Sequence, residues 1–188
     1  MTALAPTLSD RYFSRAASWV RDLFLILAGS LFVAALAQIE IPLQPVPITG
    51  QTFAVLLVGA SLGSRRGAAA LILYLAEGAL GLPFFAGGAH GWGIVSGATA
   101  GYLVGFIAAA YVIGLLAEQG LERSMRTSFI PFLIGTAIIY LFGVAWLAHV
   151  LGDFGQAVSA GLVPFLIGDA IKLTAAGFAL PAAWKLVQ

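Results

Sequence analysis

Six apolar runs, almost free of charge, fill this chain at residues 23–41, 52–64, 67–82, 97–117, 129–151 and 163–184, and charges or turn residues bound each of them. Runs of this kind read as transmembrane helices. Composition agrees, with 61% hydrophobic and only 9% charged residues, where soluble domains carry about 25% charged. At about 20 residues per span, a length of 188 residues accommodates six helices in a single transmembrane domain, preceded by the segment 1–22. No soluble catalytic domain fits beside them. The expected fold class is an all-α integral membrane protein. The second run is too short for a full upright span, and Gly63, Ser64, Arg65, Arg66 and Gly67 read as the turn of a tight helical hairpin.

Basic residues orient these spans, because cytoplasmic loops are enriched in Lys and Arg. Arg11, Arg15 and Arg21 precede the first span, Arg65 and Arg66 lie between the second and third, Arg123 and Arg126 follow the fourth, and Lys185 follows the sixth. Six spans put all of them on one side. The opposite loops, at 42–51, 83–96 and 152–162, contain no Lys or Arg. Both termini are therefore expected inside.

The basic start, the run from Leu23 and the sequence Ala35-Leu36-Ala37 imitate a secretory signal with its cleavage site. Cleavage is not expected, since 22 residues are long for the leading region and loss of the first span would spoil the charge segregation. With no cysteine in the chain, disulfides and thiolate metal sites are excluded. His90 and His149 have no partner at ligand spacing. No Walker sequence exists, and Gly91-Trp92-Gly93 lacks the remainder of a dinucleotide fingerprint. Neither a cofactor nor a nucleic-acid partner is expected.

Asp169 and Lys172 break the last apolar run and share one helix face at i, i+3. A charge at the centre of the bilayer costs roughly 2.5 to 3.5 kcal/mol on insertion scales, so such residues face a cavity or one another. At 1.5 Å per residue, a helix entering near Val163 puts the pair about 9 to 13 Å deep. They are read as a ligand site reachable from outside, with simple mutual neutralisation as the alternative. Glu77 is a third ionisable residue at membrane depth, able to bond a ligand or only its helix neighbours, with Tyr74 one turn earlier.

Two external loops complete the picture. In the first, Pro42, Pro45 and Pro47 stiffen a non-helical segment, either a plain connection or a lid, and Gln51 and Thr52 follow with amide and hydroxyl groups. The second interleaves glycines with Phe84, Phe85 and Trp92, giving close backbone approach and apolar walls or only an interfacial anchor. Glycine ladders at 59, 63 and 67 and at 97, 101 and 105 point to close helix packing in lipid, within the bundle rather than between subunits.

PVPITGQTFAVLL (45–57), RRGAAALILYLAEGALGLPFFAGG (65–88), GYLVGF (101–106) and PFLIGDAIK (164–172) resemble the BioY family, the biotin-capturing S components of energy-coupling factor transporters. The resemblance covers nearly everything from Ala34 to Lys172. It implies the S-component fold, with biotin held near the outer face under the first external loop. Asp169 and Lys172 match the family's closing Asp-x-x-Lys. Where many relatives read Gly-Pro-Thr-Gly-Gly-Tyr, this chain has Gly97-Ala98-Thr99-Ala100-Gly101-Tyr102. Only Ser30 and Ala34 approximate the Ala-x-x-x-Ala pattern by which S components meet their coupling subunit.

On this resemblance the substrate-binding residues are Asp169, Lys172, Gln51, Glu77, Phe85 and Tyr102. Lys172 is assigned to a ligand anion or carbonyl and Asp169 to a donor such as a ureido N–H, while Phe85, Tyr102 and the proline-rich loop cover the bicycle. The implied partners are biotin, a transmembrane coupling subunit and two ATP-binding cassette subunits, which would use the ATP. Solitary uptake by a homo-oligomer is left open. The alternatives are an S component for another vitamin, such as thiamine or riboflavin, and a small membrane enzyme using Glu77, Asp169 and His90.

Overall fold

A computed structural model of the chain describes residues 7–9, 18–124 and 127–185. Arg11, Arg15 and Arg126, invoked above for orientation, lie outside the described residues. The elements in order are α1 (Ser18–Ala37), β1 (Glu40–Ile41), β2 (Ile48–Thr49), α2 (Gln51–Leu62), α3 (Ser64–Ala79), α4 (Trp92–Val95), α5 (Ala100–Ala117), α6 (Phe129–Leu151), α7 (Phe154–Gly161) and α8 (Leu166–Lys185). Short 3-10 turns occupy Ala86–Gly88, Leu121–Arg123 and Val163–Phe165.

The six longest of these helices fall on the six apolar runs. Four helical stretches, Trp19–Ala37, Ala100–Ala117, Phe129–Leu151 and Phe154–Lys185, are long and apolar enough to cross a membrane by length and composition. α2, with 12 residues, reaches only about 18 Å at 1.5 Å per residue, against about 30 Å of hydrocarbon. Its shortness is as expected from sequence. The chain departs from a purely helical reading in the first external loop, where Glu40 pairs with Thr49 and Ile41 with Ile48 in a two-residue antiparallel hairpin. Loops at 83–96 and 152–162 also carry the short helices α4 and α7. Asp153 caps α7 by accepting from the Gln156 amide at 2.7 Å, a use of aspartate that satisfies an otherwise orphan helix donor.

The hairpin between α2 and α3 is tighter than expected. Gly63 alone makes the turn, at φ 84°, and Arg65 and Arg66 already belong to α3. Glu118, from the end of α5, accepts from the Ser64 amide and the Ser64 hydroxyl, each at 2.8 Å. A carboxylate there satisfies an orphan N–H and complements the positive end of α3. Arg66 reaches Asp22 of α1 at 2.9 Å.

The glycine ladders work inside the bundle. A Cβ on Gly59 would lie 2.8 Å from the Ala110 carbonyl oxygen of α5, and one on Gly67 would lie 3.1 Å from Gly59 Cα, so α2, α3 and α5 meet at backbone contact distance. Gly101 and Gly105 press against Ile139, Phe142 and Trp146 of α6; Gly97 lies outside α5. Small residues do this in lipid because packing, not water expulsion, drives helix association. The same economy reassigns Ser30 and Ala34. Both are buried, with Ser30 hydrogen-bonded to Glu77 of α3, so this pair packs α1 onto its own bundle and does not present the expected partner-facing pattern. Leu23, Phe24, Leu27 and Leu31 form the exposed face of α1 instead.

Candidate ligand cavity

At the end of the bundle formed by the first hairpin, α4 and α7, the helices enclose a cavity of about 380 Å³. That volume lies in the range of pockets that hold a small organic ligand. Its walls are the proline-rich segment 42–47, Phe85 and Ala89 from the second loop, Tyr102, Leu103 and Phe106 from α5, Ile139 and Tyr140 from α6, and Phe165. Phe85 packs edge-on against Tyr74 at 5.6 Å between centroids, and Phe165 lies against Tyr140 at 6.5 Å. Edge-to-face geometry of this kind fixes ring positions beyond what burial alone does.

Polar groups are gathered where α8 meets α2. The Lys172 ammonium donates to the Thr49 carbonyl at 2.7 Å, to Thr52 Oγ1 at 2.8 Å and to Asp169 Oδ1 at 3.0 Å. Its three N–H donors are thus all engaged. Asp169 is buried; its Oδ1 also accepts from Thr52 at 3.3 Å, and its other oxygen accepts from the Tyr140 hydroxyl. Such a partly buried charge pair is tolerable at membrane depth because the remaining lone pairs and protons find partners. The β-hairpin supplies one of those partners, since its return strand puts the Thr49 carbonyl beside α8.

Next to this cluster, the Gln51 amide oxygen accepts from Thr49 Oγ1 at 2.8 Å and the amide nitrogen donates to the Tyr74 hydroxyl. Tyr74 in turn donates to the Phe84 carbonyl at 3.3 Å. Gln38 adds a second tie to the same loop, donating to the Phe85 carbonyl at 3.2 Å. Tyr102 donates to the Gly161 carbonyl at 2.7 Å and so holds the end of α7 against α5.

Of the residues selected from sequence, Gln51, Phe85, Tyr102 and Lys172 line the cavity. Asp169 stands behind Lys172 rather than among the lining residues. Glu77 does not join them: its carboxyl accepts from Ser30 on the α1 side of α3. Sequence reading missed Tyr140, Thr49 and Glu40, all of which line the cavity. Tyr140 sits in a run apolar on every side, where periodicity cannot say which face turns inward. Among the described residues no group of three or more His, Cys, Asp or Glu could hold a metal ion.

A multi-pass membrane bundle with a small, mostly apolar cavity and one partly buried ion pair at its wall defines a membrane protein built to hold a compact ligand. A family model described as the BioY family matches residues 6–188. The biotin transporter BioY of Thermotoga maritima is 44% identical over 155 residues, covering 81% of this chain and 90% of the relative. Its counterpart from Rhizobium etli is 36% identical over 166 residues, covering 83% and 89%. The chain belongs to the BioY family. In fold it is similar to the crystal structure of the S-component for biotin from an ECF-type ABC transporter, with a TM-score of 0.79, 24% identity, and 89% of this chain and 92% of that one covered.

Proposed function

We propose that the chain captures biotin and takes it across the cytoplasmic membrane of a bacterium as the substrate-binding component of an energy-coupling factor transporter. It serves transport and is not an enzyme: the similar proteins from Thermotoga maritima and Rhizobium etli are biotin transporters. The observation that carries the reading is the cavity, in which one lysine at the end of an apolar chamber suits a ligand with an apolar bicycle and one carboxylate.

Lys172 meets a ligand anion or carbonyl by exchanging one of its present bonds, the Thr52 hydroxyl being the uncharged side-chain partner. Charge-assisted bonds are the strong ones. Asp169 keeps the ammonium in place, while Tyr140 and Thr52 keep Asp169 in place. Phe85, Tyr102 and the prolines cover the bicycle, and Gln51 offers the N–H of its amide that bonds no described residue. Glu77 is left to bind α1.

The topology we infer has six membrane-crossing helices and both termini in the cytoplasm. What supports it is the separation of charge along the bundle: Arg21, Arg65, Arg66, Arg123 and Lys185 lie at the end away from the cavity, as cytoplasmic ends do. The cavity then opens outward. Energy would come from a transmembrane coupling subunit and two ATP-binding cassette subunits docking on the basic end.

Titration calorimetry of the purified chain in detergent tests the ligand. Biotin is expected to bind, and Lys172→Ala, kept monodisperse, to bind at least tenfold more weakly. Equal binding by that variant would remove Lys172 from the site.

A further inference from the structure

Glu40 and Lys172 are the two charged residues in the cavity wall, and only Lys172 has a use so far. Glu40 lies in β1, directly across the hairpin from Thr49. It is partly buried, and its carboxylate makes no hydrogen bond or ion pair with a described residue. Its carboxylate rests over the second loop: a Cβ on Gly87, which turns at φ +62°, would come within 2.5 Å of Glu40 Oε1 and 3.2 Å of its Cδ. Glycine at 87 therefore leaves the space that this carboxylate fills at the cavity wall.

We propose that Glu40 is a specificity residue that accepts a hydrogen bond from the ligand's uncharged N–H groups and keeps its carboxylate at the Lys172 end. The inference rests on the biotin reading. Biotin has two kinds of polar end, a carboxylate and a ureido ring with N–H donors. A carboxylate side chain in the wall of a mostly apolar cavity repels the first and accepts from the second. Lys172 is already beside Asp169, so it does not neutralise Glu40 from across the chamber.

The test is competition against labelled biotin on the purified full chain, using biotin, a biotin methylated at its ureido nitrogens and biotinamide. Glu40→Gln is expected to weaken biotin and biotinamide about tenfold, the difference between a charge-assisted and a neutral bond. The methylated analogue should be unaffected, and Glu40→Asp should lose less on biotin than Glu40→Gln. An equal loss on all ligands would make Glu40 structural and overturn the assignment. So would unchanged biotin binding, or tighter binding of biotin but not of biotinamide, which would put the ligand's carboxylate beside Glu40. A wild-type chain that binds no biotin would remove the biotin reading and this assignment together.

Discussion

The two halves of α8 are held in opposite ways. In the half beside the cavity, Asp169 and Lys172 saturate each other and three further groups, Thr49, Thr52 and Tyr140, drawn from the first hairpin, α2 and α6. In the other half the contacts are mainly aromatic. The Arg123 guanidinium stacks over Trp184 at 4.4 Å, Phe129 meets Phe178 edge-on at 5.8 Å, and Glu122 is buried without a hydrogen bond to either oxygen. A fully bonded ion pair fixes direction, as a binding site requires. Stacked rings fix only position, which is enough for an anchor.

Breaking the upper half should cost most. Asp169→Ala leaves the partly buried ammonium of Lys172 without its counter-charge, and since loss of one member of a fully buried pair typically costs about 3 to 5 kcal/mol, this one should cost about 2 to 3 kcal/mol. Chemical unfolding in detergent should show that loss. Replacing both members, as Asp169→Asn with Lys172→Met, removes the uncompensated charge and should recover most of the stability while biotin binding stays lost. A double variant that bound biotin normally would reduce the pair to a structural tie.

How much of this contrast the sequence discloses depends on where charge falls. Asp169 and Lys172 stand out because nothing else in their run is charged, and the six helices stand out because basic residues punctuate them. Tyr140 and Ser128 do not, since a hydroxyl inside or beside an apolar run carries no periodic signal of the face it occupies. Glu77 shows the converse case. Depth left a ligand role and a bond to helix neighbours equally open; the partner in the structure is Ser30, 47 residues earlier on another helix, and no local pattern encodes that meeting. The two-residue hairpin was equally hidden, because three prolines in ten residues argue for a loop whether or not its ends pair.

The lower half contains one hydrogen bond whose cause is local. Pro181 lies inside α8 and has no N–H, which leaves the Gly177 carbonyl without its usual helical donor. The buried Ser128 hydroxyl supplies the replacement at 2.8 Å. Ser128→Ala should therefore cost about 1 to 2 kcal/mol, the penalty for an unsatisfied buried carbonyl. Pro181→Ala restores an N–H at the right position, so Ser128→Ala should cost distinctly less in that background. Equal costs in both backgrounds would show that Ser128 acts through packing alone.

The smallest effect is expected at Glu122, where the contrast with Asp169 sharpens into a pH dependence. Burial raises the Glu122 carboxyl above its ordinary value of 4.5, opposed by the attraction of Arg123, whose Nε lies 3.7 Å away. With the folded value above the unfolded one, the folded chain holds a proton that the unfolded chain has released. Stability from this group is then fully present below pH 4.5 and declines as pH rises toward the folded value. Glu122→Gln cannot lose that proton. Its stability should stay within about 1 kcal/mol of the parent at neutral pH, and the parent-minus-variant difference should shrink steadily as pH climbs from the unfolded value. If the difference grew with pH instead, Arg123 would hold Glu122 ionised, and burial would not be what governs its proton.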